Sequence, residues 1–198
     1  MAQLANGILK KLFSFMSKEY DIPEEELEEL RMLSTLEPEE ICRLKRAFFV
    51  YTQGADLMTK AMFMDIPTIR INPLRDRVAM CFGYEKGVTS LDFPGFLNGV
   101  SLFNSHGKKE DKLKLAFRLQ DFDDDGKLGR EDLKMYLEVI TGQPNVKIAG
   151  WNDFEIENTI KQTFLEVCGD AKSEKIEISD FIRCMHATDF HTKLQLAL

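Results

Sequence analysis

The 198-residue chain lacks several features that would each have marked a different kind of protein. No apolar run reaches about eighteen residues, so no membrane-spanning helix is expected. There is no basic excess: 33 Asp and Glu against 26 Lys and Arg give a formal charge of -7. A phosphate backbone therefore finds little to bind, and no nucleic-acid partner is expected. The cysteines, Cys42, Cys81, Cys168 and Cys184, are scattered without a CxxC pair. They read as buried thiols of a reducing, cytoplasmic compartment rather than a disulfide frame or zinc site. His106, His186 and His191 have no companion at metal-ligand spacing. No Ser-His-Asp, Cys-His or phosphate-loop arrangement is present, so no catalytic residue is assigned and the chain is not read as an enzyme.

What is present is helical. Apolar residues recur at helical spacing and strand alternation is nearly absent. The periodicity predicts helices over 38–50, 60–66, 73–82, 93–103, 109–120, 130–140, 153–167 and 178–187, with another beginning near Pro23. These fall into helix–loop–helix pairs, an internal repeat. The composition is 44% hydrophobic and 30% charged, with 15 Phe and 9 Met, which suits either plain core or an adaptable apolar groove.

One loop carries recognisable chemistry. Residues 121–132, DFDDDGKLGRED, fit the twelve-residue EF-hand calcium loop. Asp121, Asp123 and Asp125 stand at positions 1, 3 and 5, where carboxylate oxygens are needed. Gly126 at position 6 permits the sharp bend. Lys127 at position 7 would offer its backbone carbonyl, and Gly129 at position 9 leaves a place for water. Position 12 is Asp132 where Glu is usual. Asp is one methylene shorter and tends to offer one oxygen instead of two, which weakens calcium and lets magnesium compete. One ion per chain is expected.

Three degraded copies follow from aligning the Phe that succeeds each loop. Loop 51–62 carries Tyr51, Gln53, Ala55 and Met62 at ligand positions; loop 84–95 carries Tyr84, Lys86, Val88 and Gly95; loop 169–180 carries Gly169, Ala171 and Ser173. Each keeps an apolar residue at position 8, so Met58 is expected to face Leu91, and Leu128 to face Ile176, across short β-bridges. These loops keep the packing signature and lose the ligands.

Four stretches, Met64–Phe82, Asp92–Phe103, Lys112–Leu128 and Asp189–Leu198, resemble the calcineurin B-like branch of EF-hand proteins. The likeness extends over roughly residues 35 to 198. It implies an all-α fold of two EF-hand pairs, three of the four loops being degenerate, plus an N-terminal amphipathic helix. The divisions expected are 1–36 as an N-terminal extension, 37–104 as hands one and two, and 105–198 as hands three and four with a C-terminal tail. It also implies a non-catalytic regulatory subunit that clamps an amphipathic helix of a calcineurin A-like catalytic subunit, as in protein phosphatase 2B. The alternatives are an accessory subunit of a membrane transporter or a light-chain-like structural clamp. Groove residues expected for the partner helix are Phe63, Phe96, Phe117, Leu133, Tyr136, Leu137 and Phe181. The chain departs from the family in having one intact loop, a longer linker from Thr141 to Asp153 that holds Trp151, and Ala2 where a myristoylation signal needs Gly. Residues 1–18 are amphipathic, with Lys10, Lys11 and Lys18. They are expected to pack on the body or lie in the groove, the alternatives being a membrane-surface contact or an organelle presequence.

Overall fold

The computed structural model describes residues 22–85, 87–104, 108–140 and 153–186. The expected N-terminal helix, most of the 141–153 linker with Trp151, and the tail from Asp189 lie outside the described residues.

The described elements are α1 (Glu24–Leu33), α2 (Pro38–Thr52), β1 (Met58–Thr59), α3 (Lys60–Asp65), α4 (Pro67–Arg70), α5 (Arg75–Cys81), β2 (Ser90–Leu91), α6 (Phe93–Leu102), α7 (Lys109–Gln120), β3 (Lys127–Gly129), α8 (Arg130–Ile140), α9 (Asp153–Cys168), β4 (Lys175–Glu177) and α10 (Ile178–Met185). Among the described residues the fold is thus all-α apart from two short antiparallel ribbons. In the first, Met58 pairs with Leu91; in the second, Leu128 pairs with Ile176. Both registers are those expected from the position-8 residues.

Local chemistry sets the helix ends. Pro38 opens α2, and the Glu37 N–H donates to Glu40 Oε2 at 3.2 Å, one arm of a capping box. Thr59 Oγ1 accepts the Met62 N–H at 3.2 Å to start α3, and Asp92 Oδ1 accepts the Gly95 N–H at 2.9 Å to start α6. Both caps occupy position 9 of a degraded loop. The turn α4, absent from the sequence expectation, opens at Pro67, whose fixed φ suits a first helical position.

The core divides in two. Ile41, Phe48, Met58, Phe63, Phe82 and Phe96 anchor the first cluster, and Leu113, Phe117, Leu128, Phe164, Ile176 and Phe181 anchor the second. Each ribbon inserts its apolar pair into one cluster. Leu30 and Leu36 belong to the first cluster, so α1 packs as part of the first pair of hands rather than as a separate extension. Helix α7 serves both: Leu113, Ala116 and Phe117 enter the second cluster, while Leu115 and Leu119 enter the first.

The first core is dense with aromatic rings. Phe82 lies 4.7 Å from Phe63, 5.8 Å from Phe96 and 5.7 Å from Phe103, centroid to centroid. Gly99 on α6 makes room for it, because a Cβ there would meet Phe82 Cδ1 at 2.3 Å. Gly99→Ala gains about 1 kcal/mol of helix propensity but forces the ring out of place, and overpacking costs about 1–3 kcal/mol. We expect a net loss of about 1 kcal/mol in urea unfolding. Combination with Phe82→Leu should cost less than the sum of the two single changes.

Candidate metal centre

Helix α7 delivers Asp121 at its C-terminal end, and α8 returns Asp132 in its first turn. Between them the loop curls on its own side chains. Asp121 Oδ2 accepts the Gly126 N–H at 2.9 Å, Asp123 Oδ1 accepts that of Asp125 at 3.1 Å, and Asp125 Oδ1 accepts that of Lys127 at 2.9 Å. These side chain-to-backbone turns are the habit of Asp in tight loops. Gly126 has φ +81°, the left-handed bend that position 6 requires.

Asp132 reaches back across the loop. Its Oδ1 accepts the N–H groups of Phe122 at 2.9 Å and Asp123 at 3.4 Å, and its Oδ2 accepts that of Gly129 at 2.8 Å. Carboxylate oxygens of Asp121, Asp123 and Asp132 lie within 4.8 Å of one another, with Asp121 and Asp132 each 5% exposed. Asp125 stands apart from them because its Oδ2 is ion-paired with Lys175 of β4. Lys127 begins β3, its Nζ held by Glu177 at 2.7 Å.

The donor set fits a hard divalent cation. Asp121 Oδ1 is buried and has no hydrogen-bond partner among the described residues. Burial pushes the Asp121 carboxyl above the ordinary carboxylate range; the Gly126 N–H opposes the shift, and the charges of Asp132, Asp124 and Asp123 add to it. A buried oxygen left unmet among like charges is where a cation is most favoured. A bound calcium ion would supply that positive charge through the oxygens of Asp121, Asp123 and Asp132, with Asp125 released from Lys175 to join them.

The degraded loops are held by protein groups instead. Tyr84, at position 1 of the second loop, is 2% exposed and donates its hydroxyl to the Met58 carbonyl at 2.9 Å. A would-be ligand position thus locks the ribbon of the first pair from inside. Arg130 of α8 donates to the Ala171 carbonyl and, at 3.4 Å, to that of Ser173, while its guanidinium stacks 4.8 Å over Phe164. An arginine gathers the carbonyls of Ala171 and Ser173, positions 3 and 5 of the fourth loop, where the sequence provides no carboxylate.

The expected groove residues divide differently. Phe63, Phe96, Phe117, Leu133 and Phe181 are buried inside the two clusters. They fill cores in this structure rather than line an open surface, because each lies close to its loop in the chain and is drawn in beside its ribbon. Tyr136 and Leu137 are half-buried on α8, beside the exposed Met135 and Ile140.

Arg130, the inward role of Tyr84 and the outer face of α7 do not follow from the sequence pattern singled out above. For α7 a signal existed: Leu113, Leu115, Ala116, Phe117 and Leu119 spread over more than one apolar stripe, with only the face of Asp111, Lys114 and Arg118 left to solvent. For the polar contacts there was none, since they join residues far apart in the chain. Among the described residues, no helix is long and apolar enough to cross a membrane.

The chain is similar to several known proteins. The chain is 29% identical to the calcineurin B protein of Naegleria gruberi over 175 residues, 88% of this chain and 94% of that one. It is 30% identical to the calcineurin B protein of Schizosaccharomyces pombe over 155 residues, 78% of this chain and 84% of the relative. It is likewise 30% identical to the type 1 calcineurin B protein of Dictyostelium discoideum over 159 residues, 80% of this chain and 84% of the relative. No protein-family model matches the chain.

Calorimetry should find one calcium per chain, with a Kd of roughly 10⁻⁶ to 10⁻⁴ M because Asp132 is short. Asp132→Glu should tighten binding and Asp121→Ala abolish it; two or more ions per chain would contradict the assignment of the degraded loops. Lys175→Met, which frees Asp125, should tighten calcium by roughly two- to fivefold, the scale of an exposed ion pair. Protons and calcium compete for Asp121, and its raised pKa means that affinity begins to fall at a higher pH than for an ordinary carboxylate.

Proposed function

Because the chain belongs to the calcineurin B-like family of EF-hand proteins, we propose that it is a calcium-binding, non-catalytic regulatory subunit that clamps an amphipathic helix of a calcineurin A-like phosphatase catalytic subunit. Its expected setting is the cytoplasm. The observation that carries this reading is how the first pair of hands is closed. Tyr84, Met58, Leu91 and Phe96 hold that pair together with no carboxylate at position 1, 3, 5 or 12 of either loop. A platform for a partner helix is therefore built by packing alone.

Calcium then has a limited part. A ligand shifts a conformational equilibrium only by its differential affinity for the two states. Moving a groove from 1% to 99% open needs roughly 5.5 kcal/mol, more than one weak site supplies. In this reading the single loop at 121–132 tunes the second pair and magnesium competes there. A partner helix would cover the apolar strip on α8 formed by Tyr136, Leu137 and Ile140, laid in the helix-in-groove manner. The buried Phe117, Leu133 and Phe181 would support that surface from beneath, while Phe63 and Phe96 fill the core of the first pair.

The test is affinity for the isolated helix of a calcineurin A-like protein, measured in calcium, in magnesium alone and in chelator. The expected result is binding in all three, with chelation weakening it modestly. A thousandfold loss in chelator would make this a calcium switch and refute the tuning role. No binding in any condition would refute the phosphatase partner, and a transporter segment or a motor heavy-chain helix would then be the next probe.

A further inference from the structure

Helix α5 belongs to the second hand, yet one of its side chains ends in the loop of the third. Arg77 is 6% exposed. Its Nη2 donates to the Arg118 carbonyl at 2.7 Å, to the Asp121 carbonyl, and to Asp124 Oδ1 at 2.9 Å. Its Nη1 reaches Asp124 Oδ2 at 3.4 Å and Met80 Sδ at 3.2 Å, and its guanidinium lies 5.5 Å from the Phe122 ring. Apart from Met80, these partners all lie in the last turn of α7 or the first four positions of the metal loop. A second ion pair, Arg118 with Glu85, spans the same junction.

Two features make this more than an arginine buried at a helix end. Asp121 is gripped through its carbonyl by Arg77, while its carboxylate oxygen Oδ1 is the buried, unmet acceptor of the metal centre. Asp124 sits at φ +56°, a left-handed conformation that a non-glycine residue adopts at some cost, and the forked guanidinium holds its carboxylate there. Only an arginine can serve a carboxylate and two carbonyls from one planar group; a lysine offers a point charge without the fork.

We infer that Arg77 is a positioning residue for the metal loop, supplied by the neighbouring pair of hands, and that occupancy of the 121–132 loop is transmitted through it to α5. The inference rests on the reading that this loop takes calcium. Coupling between two sites is reciprocal, so if calcium steadies α5, then α5, acting through Arg77, strengthens calcium. A role limited to satisfying the end of α7 would lower stability when removed, but would give α5 no response to calcium.

The test follows hydrogen exchange in segments 75–81 and 121–132 of the full chain, with and without calcium, beside calcium calorimetry. In the wild type calcium should slow exchange in both segments. In Arg77→Met, segment 121–132 should keep its response while 75–81 loses it, and calcium affinity should fall roughly fivefold or more. Arg77→Lys should restore little of either. Asp124→Asn, at a half-exposed side chain, should weaken both effects partially, because the two carbonyl bonds remain. Calcium protection at 121–132 with none at 75–81 in the wild type would overturn the coupling. So would an unchanged response at 75–81 in Arg77→Met, or in Asp124→Asn should Arg77→Met fail to fold. A wild-type chain that takes up no calcium would overturn the metal reading itself and the coupling with it.

Discussion

A single helix–loop–helix unit exposes an apolar face that it cannot cover, and the whole architecture follows from that deficit. Each loop contributes one apolar residue at position 8, and Met58 against Leu91 and Leu128 against Ile176 close the two ribbons that join the hands in pairs. Those side chains are the seeds of the two cores. Met58, Leu128 and Ile176 are at most 1% exposed, and the phenylalanines that follow the loops pack beside them. Burying such a side chain contributes about 1.5–3 kcal/mol, comparable in scale to what a weak metal site offers. A loop can therefore lose its ligands and its hand can remain folded, provided the position-8 residue and the following Phe survive.

The same constraint explains why the two pairs behave as one molecule. Helix α7 buries Leu113, Ala116 and Phe117 in one core and Leu115 and Leu119 in the other. A helix shared between two cores cannot rotate to improve one without exposing the other. Arg77 adds a polar link at the C-terminal end of this helix, where carbonyls are left without intrahelical donors. Apolar sharing fixes the position of α7, and the guanidinium fixes the entry of the loop that follows it.

Charge within the second pair is exchanged between hands. Arg130 of the third hand gathers the carbonyls of the fourth loop, and Lys175 of the fourth hand pairs with Asp125 of the third. Each cation answers a concentration of acceptor oxygens. In the fourth loop these are carbonyls at positions whose side chains carry no carboxylate, so the arginine meets backbone oxygens alone. In the third they include four carboxylates at ligand positions, with Asp121 Oδ1 buried and unmet, and the ammonium satisfies Asp125 alone. Hydrogen bonds from Phe122, Asp123 and Gly129 to Asp132 draw the short position-12 carboxylate into the loop.

Much of this was legible in the sequence, because it is periodic or local. Helix boundaries and the bend at Gly126 depend on residues a few places apart, where spacing along the chain maps directly onto geometry, and both ribbon registers follow from the position-8 residue that each loop repeats. The four carboxylates at ligand positions of 121–132 belong to that class, and so does their chemistry. What the tertiary structure decided lies across the junctions. Whether Phe63, Phe96 and Phe181 line a groove or fill a core depends on how the hands close on each other, and helical periodicity marks an apolar face without saying what covers it. That Tyr84 turns inward to the Met58 carbonyl, that α1 joins the first core, and that Arg77 grips a loop 47 residues away at Asp124 are likewise outcomes of docking. A contact between distant residues is set by the relative placement of two packed bodies, and no local pattern in the chain records that placement.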